Sequence, residues 1–248
     1  MRVKVYLEVP KEVSIFYRRS FLSFIKKVLE QEDADYCTKL FMKDKFKPFT
    51  FCVFFGDIKV DGERIFNNGR AILTVSSGSP DFFVRFYNGL KSFKEYKGRY
   101  INGSMKILKS EMIEEEVISS ERQKFRTLSP IVVVNKDKHP VLPEKLKANN
   151  DAFIVYDDGV FTNELRFSLR CIFNGLPDLK FSHQNGKKAV VKHLVGHNDS
   201  EKVIKIVAYQ GTFTLEGDPY VLNEIYKYGI GFRRYQGFGC LELVKENS

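Results

Sequence analysis

The sequence lacks several features that would place a chain of 248 residues in a specialised class. Its four cysteines are far apart, and no two of them form a Cys-x-x-Cys pair, so neither a zinc knuckle nor a disulfide framework is indicated. No apolar run approaches the roughly 18 residues that a membrane span needs. The N-terminus alternates charged and apolar residues, whereas a signal peptide has an unbroken apolar stretch there. We therefore expect a reduced, cytoplasmic protein that is not bound to a membrane.

The charge of the chain is unbalanced toward the positive sign. It has 40 Lys and Arg residues against 31 Asp and Glu residues, which gives a formal net charge of +9. This excess favours a polyanionic partner such as nucleic acid, although basic composition alone does not decide the matter. The hydrophobic content of 43% is enough to fill a core and argues against a disordered chain. The length allows one large domain or two small ones.

Hydrophobic periodicity predicts the elements of the first half, residues 1–125. Strands are predicted at 3–9, 49–55, 71–75 and 105–115. One helix is expected to follow Ser14 as its cap, and Ser79 and Pro80 are expected to begin another. The resulting order is β-α-β-β-α-β, the ferredoxin-like arrangement, which has an antiparallel sheet with both helices on one face.

The second half, residues 126–248, repeats this order in degenerate form. Polar residues and two prolines at 135–151 predict a loop or linker. A helix is predicted around 161–172, a long hairpin from 188–195 and 202–215, a short helix from Asp218 and Pro219, and a last strand at 240–244. The predicted fold class is α+β, with two ferredoxin-like (RRM-like) halves side by side as domains 1–125 and 126–248.

A glycine-rich loop at 229–239 is the most informative motif. It has the pattern G-h-G-x5-G-h-G, where h is apolar, and it follows a helix and precedes a strand. That order is the reverse of the order in a dinucleotide-binding fingerprint. Glycines allow the backbone to approach a ligand closely, and unpaired amides in such a loop could form an anion-binding concavity. The alternative is a turn that is needed only for folding. The four glycines are Gly229, Gly231, Gly237 and Gly239.

The side chains of this loop suggest contact with RNA. Arg233 and Arg234 carry guanidinium groups that match phosphate geometry. Tyr235 could stack on a base, while Phe238 is expected to anchor the loop to the core.

The loop, the order of elements and the Thr-Leu-Ser-Pro segment within 125–132 together resemble the RAMP superfamily of CRISPR proteins, and within it the endoribonucleases that process CRISPR repeat RNA. The resemblance implies that the protein binds precursor CRISPR RNA and cuts once within each repeat. It implies attack by the ribose 2′-OH without a metal or other cofactor, leaving 2′,3′-cyclic phosphate and 5′-OH ends. It also implies repeat RNA as partner, with an effector complex or a homodimer as further assemblies.

The sequence departs from this family in its histidines. All four, His139, His183, His193 and His197, are in the second half, and Phe41 or Met42 stands about where the family has a catalytic histidine. Lysines and arginines are therefore expected to position the phosphate and offset its charge, with a lysine of lowered pKa as base. Lys27 is as good a candidate as its neighbour Lys26. The predicted catalytic residues are Lys26, Lys47, Tyr36 and Arg233.

Further residues are predicted to bind RNA, although a run of lysines is also typical of a solvated loop. Two alternative functions stay open at this point, a non-cleaving CRISPR RNA-binding subunit and an unrelated single-stranded RNA chaperone. The predicted RNA-binding residues are Arg19, Lys39, Lys43, Lys45, Lys187, Lys188, Arg234, Tyr235 and the four loop glycines.

Two further segments of the second half contain histidines. His193 and His197 have the spacing H-x3-H, but their context is a strand entering a turn, and no Glu or Cys partner is evident, so no metal site is predicted. The basic segment 183–192 is predicted to be either a hairpin that grips RNA or an exposed turn.

Overall fold

The structure, a computed structural model, describes residues 1–147, 153–196 and 200–244. The chain forms two compact units. The first contains Met1–Glu115, Leu194–Lys202 and Tyr235–Gly237, and the second contains Glu116–His193, Val203–Arg234 and Phe238–Ser248. Each unit has a hydrophobic core of its own. No helix in the described ranges is long and apolar enough to cross a membrane.

The first unit is built around an antiparallel sheet with helices packed against one face. Its main sheet has the strand order β3-β6-β1-β8-β7, with all neighbours antiparallel, and a small sheet has the order β2-β5-β4. The elements are β1 (Arg2–Glu8), β2 (Glu12–Ser14), α1 (Tyr17–Glu32), α2 (Ala34–Phe41), β3 (Phe49–Phe54), β4 (Lys59–Asp61), β5 (Arg64–Phe66), β6 (Arg70–Ser77), α3 (Pro80–Ser92), β7 (Glu95–Lys97) and β8 (Ser104–Ile113).

Alternation along β1 explains why the helices pack where they do. Val3, Val5 and Leu7 are buried in one cluster with Phe21 and Phe24 of α1. Every second side chain of a strand faces the same side, so these three residues direct one face of the sheet toward the helices. Full burial of each such side chain stabilises the fold by roughly 1.5–3 kcal/mol. With α1 and α3 on β1, β3, β6 and β8, the ferredoxin-like prediction for this half is confirmed.

The second unit repeats the arrangement. Its sheet has the order β12-β13-β9-β14, in which β9 is antiparallel to both β13 and β14. Phe125 of β9 stands opposite Phe213 of β13, and both are buried in the second core. The elements are β9 (Arg122–Thr127), β10 (Val141–Leu142), β11 (Val155–Tyr156), α4 (Asp158–Phe173), β12 (Leu179–Val195), β13 (Lys202–Gly217), α5 (Pro219–Tyr228) and β14 (Leu241–Leu243).

Two of the three predicted helix starts agree with the structure. The hydroxyl of Ser79 accepts a hydrogen bond from the backbone N–H of Phe82, and Pro80 begins α3. The carboxylate of Asp218 accepts one from Tyr220 at the start of α5. The cap predicted at Ser14 is wrong, because Ser14 ends strand β2 and α1 begins with no side-chain cap.

The structure corrects other expectations about organisation. Helix α2 was not predicted, because it has only 8 residues and buries only Cys37, so it carries little hydrophobic periodicity. The segment 135–147 is not a linker, since Val141 and Leu142 are buried in the second core; residues 148–151 of the predicted linker lie outside the described residues. The predicted domain boundary at 125/126 falls inside β9, whereas the two units divide after Glu115.

Candidate functional site

Two predicted catalytic lysines of the first unit lie in one neighbourhood. Lys26 is exposed on the polar face of α1, and its Nζ lies 4.8 Å from the ring centroid of Phe41, the last residue of α2. Both residues line a cleft of about 420 Å³. The position where a histidine was expected therefore holds an aromatic ring beside a lysine ammonium, an arrangement that a cation–π attraction stabilises.

Lys47 is held more tightly than Lys26. It is half-buried, and its Nζ donates hydrogen bonds to the carbonyl oxygens of Met42, at 2.8 Å, and Lys45, at 2.7 Å. The same Nζ lies 5.6 Å from the ring centroid of Tyr235. A lysine ammonium has three N–H groups. Two of them are bonded to these carbonyls, which leaves the third to face a ligand. We call Lys26, Phe41, Lys47 and Tyr235 the lysine cluster.

The charges in the lysine cluster affect each other. Burial lowers the pKa of Lys47; the carboxylate of Asp44 opposes this shift, and the charge of Lys26 adds to it. A like charge disfavours protonation of a neighbouring ammonium and so lowers its pKa. Lys26 contacts Phe41 and Lys47 contacts the next residue, Met42, so the two lysines lie near each other; that they surround one phosphate stays a prediction.

Arg18 is a further cation of the first unit, and the sequence analysis did not predict a role for it. Its Nε donates to the carbonyl oxygen of Gly237 at 3.3 Å, and its guanidinium lies 4.8 Å from the ring centroid of Tyr17. Gly237 has φ +86°, and a Cβ there would come within 2.8 Å of the Phe51 ring. Only glycine can bring the backbone this close to the Phe51 ring of β3. No local sequence pattern links residue 18 to residue 237, so the sequence alone could not indicate the contact of Arg18 with the glycine loop.

Four amides of the glycine loop that belong to the second unit are bonded within the protein. The N–H groups of Gly229, Ile230, Phe232 and Gly239 donate to backbone carbonyls at 2.8–3.0 Å. The prediction of an anion-binding concavity from unpaired amides is therefore wrong for these four groups. Gly231 has φ +81°, and a Cβ there would lie 2.7 Å from the carbonyl oxygen of Val132. The glycines shape the loop, and their contact with RNA stays a prediction.

The two loop arginines of the second unit have different surroundings. Arg234 is only 8% exposed; its Nη1 donates to the carbonyls of Ser168 and Gly231, at 3.0 and 3.1 Å, and its Nη2 lies 3.3 Å from Cys171 Sγ. Burial lowers the pKa of Arg234. The expectation that this guanidinium meets phosphate is corrected, because it is committed to the interior. Arg233 is half-buried with φ +60°, and its catalytic role stays a prediction.

Tyr36 does not join the lysine cluster. The guanidinium of Arg85 lies 4.5 Å from its ring centroid. The pKa of Tyr36 is raised to about 12, mainly by burial and in smaller part by the carboxylates of Asp81 and Asp33, while Arg85 opposes them. The Tyr36 ring is therefore in contact with Arg85, and its catalytic role stays a prediction.

Arg19 has a different partner from the one predicted. Its Nη2 donates to the carbonyl of Gly196 at 2.6 Å and lies 3.3 Å from Glu201 Oε1. The Tyr100 hydroxyl also donates to the Glu201 carboxylate, at 2.7 Å. The charge of Arg19 is therefore balanced within the protein, which weakens its case as a phosphate ligand.

The remaining predicted RNA-binding lysines are at the surface. Lys39 is exposed on α2, Lys43 and Lys45 are exposed after it, and Lys187 is exposed and Lys188 half-buried on β12. The segment 183–192 lies inside β12, which neighbours the next strand, β13, in the sheet; it is therefore one strand of a hairpin and not an exposed turn. The RNA contacts of these lysines stay predictions.

The histidine pair gives no metal site that the structure describes. His193 is buried and packs edge-on against Phe238, with ring centroids 5.6 Å apart, and His197 lies outside the described residues. In the part of the chain that the structure describes, no group of three or more His, Cys, Asp or Glu side chains could hold a metal ion.

Comparison with known proteins decides the family. The family model described as CRISPR associated protein Cas6, C-terminal, matches residues 113–243, which is more than half of the chain. The chain belongs to the Cas6 family. Cas6 proteins are known to process CRISPR RNA, and the resemblance to RAMP-type CRISPR proteins is confirmed. No curated protein matches this Cas6 family member in sequence.

Solved structures share the fold of this Cas6 family member. A Cas6-related protein from Pyrococcus furiosus matches with a TM-score of 0.75 and 18% identity, over 100% of this chain and 99% of that one. A RAMP protein that binds different RNA substrates matches with a TM-score of 0.72 and 20% identity, over 99% and 100%. A Cas6 product complex matches with a TM-score of 0.57 and 16% identity, over 98% and 99%.

Proposed function

We propose that this Cas6 family member binds CRISPR repeat RNA and cuts it within the repeat without a metal ion. In the proposed reaction the ribose 2′-OH loses its proton to a base, its oxygen bonds to the adjacent phosphorus, and the bond to the 5′ oxygen breaks as that oxygen takes up a proton. The products are a 2′,3′-cyclic phosphate and a 5′-OH. The observation that supports the proposal is the lysine cluster, because Lys26 and Lys47 contact the adjacent residues Phe41 and Met42, and two neighbouring cations can offset the charge of one phosphate.

Lys47 is the proposed acid–base residue. With its Nζ already donating to two carbonyls, the free position holds a lone pair in the neutral amine and a proton in the ammonium. The lone pair can accept the 2′-OH proton, or the proton can be given to the leaving 5′ oxygen. The lowered pKa of Lys47 increases the neutral fraction at a given pH, which favours the role of base.

Lys26 is the proposed charge-stabilising residue. It is exposed and keeps its ammonium over the Phe41 ring, so it can reach a phosphate oxygen without giving up an ion pair. Lys27, its neighbour, is instead paired with Glu30 at 2.7 Å, and that contact raises the pKa of Lys27. The structure therefore favours Lys26 over Lys27 as the functional lysine.

A non-cleaving CRISPR RNA-binding protein is the second candidate. The observation that favours it is that Phe41 stands where an imidazole was expected, while the three histidines among the described residues, His139, His183 and His193, belong to the second unit. Without an imidazole, general acid–base catalysis is weaker by about 10²–10⁴-fold in rate. Assembly as a homodimer or with an effector complex stays a prediction in both cases.

One experiment separates the two candidates. Labelled repeat RNA is incubated with excess protein in EDTA, and the ends of any product are analysed. Cleavage is expected once per repeat with cyclic-phosphate ends, and Lys47→Met should lower the single-turnover rate by about 10²-fold or more. Lys26→Ala should lower the rate more than the affinity, whereas the matched control Lys27→Ala should change neither. Retention of RNA without a cut would establish the binder, and cleavage only with added metal would overturn the metal-free reaction.

A further inference from the structure

A cavity in the second unit is not used by the proposed reaction. It has a volume of about 500 Å³, within the range of about 300–1,000 Å³ that is typical of small-ligand pockets. Its apolar walls include Phe167 of α4, Leu176 and Phe232. Phe167 is 40% exposed and Leu176 is 57% exposed, although both are large apolar side chains. Apolar surface that stays open in a concave site is typical of a binding site.

The Phe167 ring is arranged for stacking. The guanidinium of Arg170 lies 3.9 Å from its centroid and so covers one face of the ring. The ring also lines the cavity, so its exposed part is available to a planar ligand. A planar ring that stacks on an aromatic side chain next to an arginine is the usual environment of an unpaired nucleic-acid base.

Polar groups at the cavity can recognise the edge of such a base. Arg166 lines it, and its Nε donates to the carbonyl of Pro177 at 2.7 Å, which fixes the guanidinium in place. The Oδ1 atom of Asn135 accepts from two backbone N–H groups at 2.9–3.0 Å, so its amide nitrogen is left as a donor. Lys136 also lines the cavity and adds a second positive charge, while Glu164 adds one negative charge. With Arg170 on the ring, positive charge exceeds negative charge here, which suits a ligand that carries phosphate.

The cavity is also joined to the glycine loop. Phe232 belongs to the loop and is held by a hydrogen bond from its N–H to the carbonyl of Val132 at 2.8 Å. We infer that this cavity binds one unpaired base of a single-stranded RNA. The inference rests on the proposed RNA-binding function and adds to it a site that reads bases. The lysine cluster, in contrast, is proposed to hold a phosphate of the RNA backbone.

The test compares RNA with and without bases. Affinity is measured for a 20-nucleotide single-stranded RNA pool of randomised sequence and for an abasic ribose–phosphate oligomer of the same length. Phe167→Ala should weaken binding of the RNA pool by roughly 5- to 150-fold, the range for one lost stacking contact, and leave binding of the abasic oligomer unchanged. Phe167→Tyr, which keeps the ring, should bind as the wild type does. Leu176→Ala should weaken RNA binding in the same direction and leaves every hydrogen bond in place.

Phe153→Ala is the matched control, because Phe153 is 80% exposed in the same unit and does not line the cavity. It should bind both oligomers as the wild type does. Wild-type affinity of Phe167→Ala for the RNA pool would overturn the base site while leaving the proposed function intact. If Phe167→Ala lost affinity equally for the RNA pool and for the abasic oligomer, that result would also overturn the base site. If the wild-type protein bound neither the pool nor repeat RNA, the proposed function itself would fail.

Discussion

Gly237→Ala provides a sharp test of how the glycine motif works. At φ +86° an alanine is disfavoured by about 1–2 kcal/mol, because its Cβ meets the following carbonyl. The new Cβ would also lie 2.8 and 2.9 Å from two ring carbons of Phe51, which is itself fully buried. Overpacking of this kind costs about 1–3 kcal/mol. The free energy of unfolding should therefore fall by about 2–5 kcal/mol.

The assay is urea denaturation followed by far-UV circular dichroism, which suits a chain without tryptophan. Gly62→Ala is the matched control: its φ is +57°, but a Cβ there meets no atom within 4 Å, so only the backbone cost of about 1–2 kcal/mol is expected. In the double variant Phe51→Leu with Gly237→Ala, the smaller side chain should remove part of the clash, giving a favourable coupling energy. Equal losses for Gly237→Ala and Gly62→Ala, with no coupling to Phe51, would refute the packing argument.

Three further predictions concern charge and capping. Arg234→Met should destabilise the protein by about 2–4 kcal/mol, because two carbonyls lose a charged donor; the salt dependence of RNA affinity should stay the same, and a slope reduced by about one would instead show a phosphate contact. The single-turnover cleavage rate should rise with pH as Lys47 loses its proton, over a range below the ordinary lysine pKa of 10.5, because only the neutral amine can accept the 2′-OH proton. Lys47→Met should remove this pH dependence, and a wild-type rate that falls as pH rises would contradict the role of Lys47 as the base. Ser79→Ala should lower stability by about 1 kcal/mol in urea denaturation, and no measurable change would contradict its role as the cap of α3.

The sequence by itself determined the order of the main elements. The alternation of Val3, Val5 and Leu7 specifies a strand with one buried face, and Ser79 with Pro80 specifies a helix start. These signals are local, because each depends on residues a few positions apart. Their order was enough to indicate the ferredoxin-like halves, and the glycine loop was enough to suggest the family.

Only the tertiary structure decided which charged residues are available for chemistry. Arg234 looks like a surface arginine in the sequence, yet it is committed to two carbonyls in the interior. Lys47 gains its distinct character from carbonyls nearby in the chain and from Lys26 on another element. Arg18 meets Gly237 across 219 positions of sequence. Burial and desolvation depend on residues that only the fold brings together, so no local pattern could have shown them.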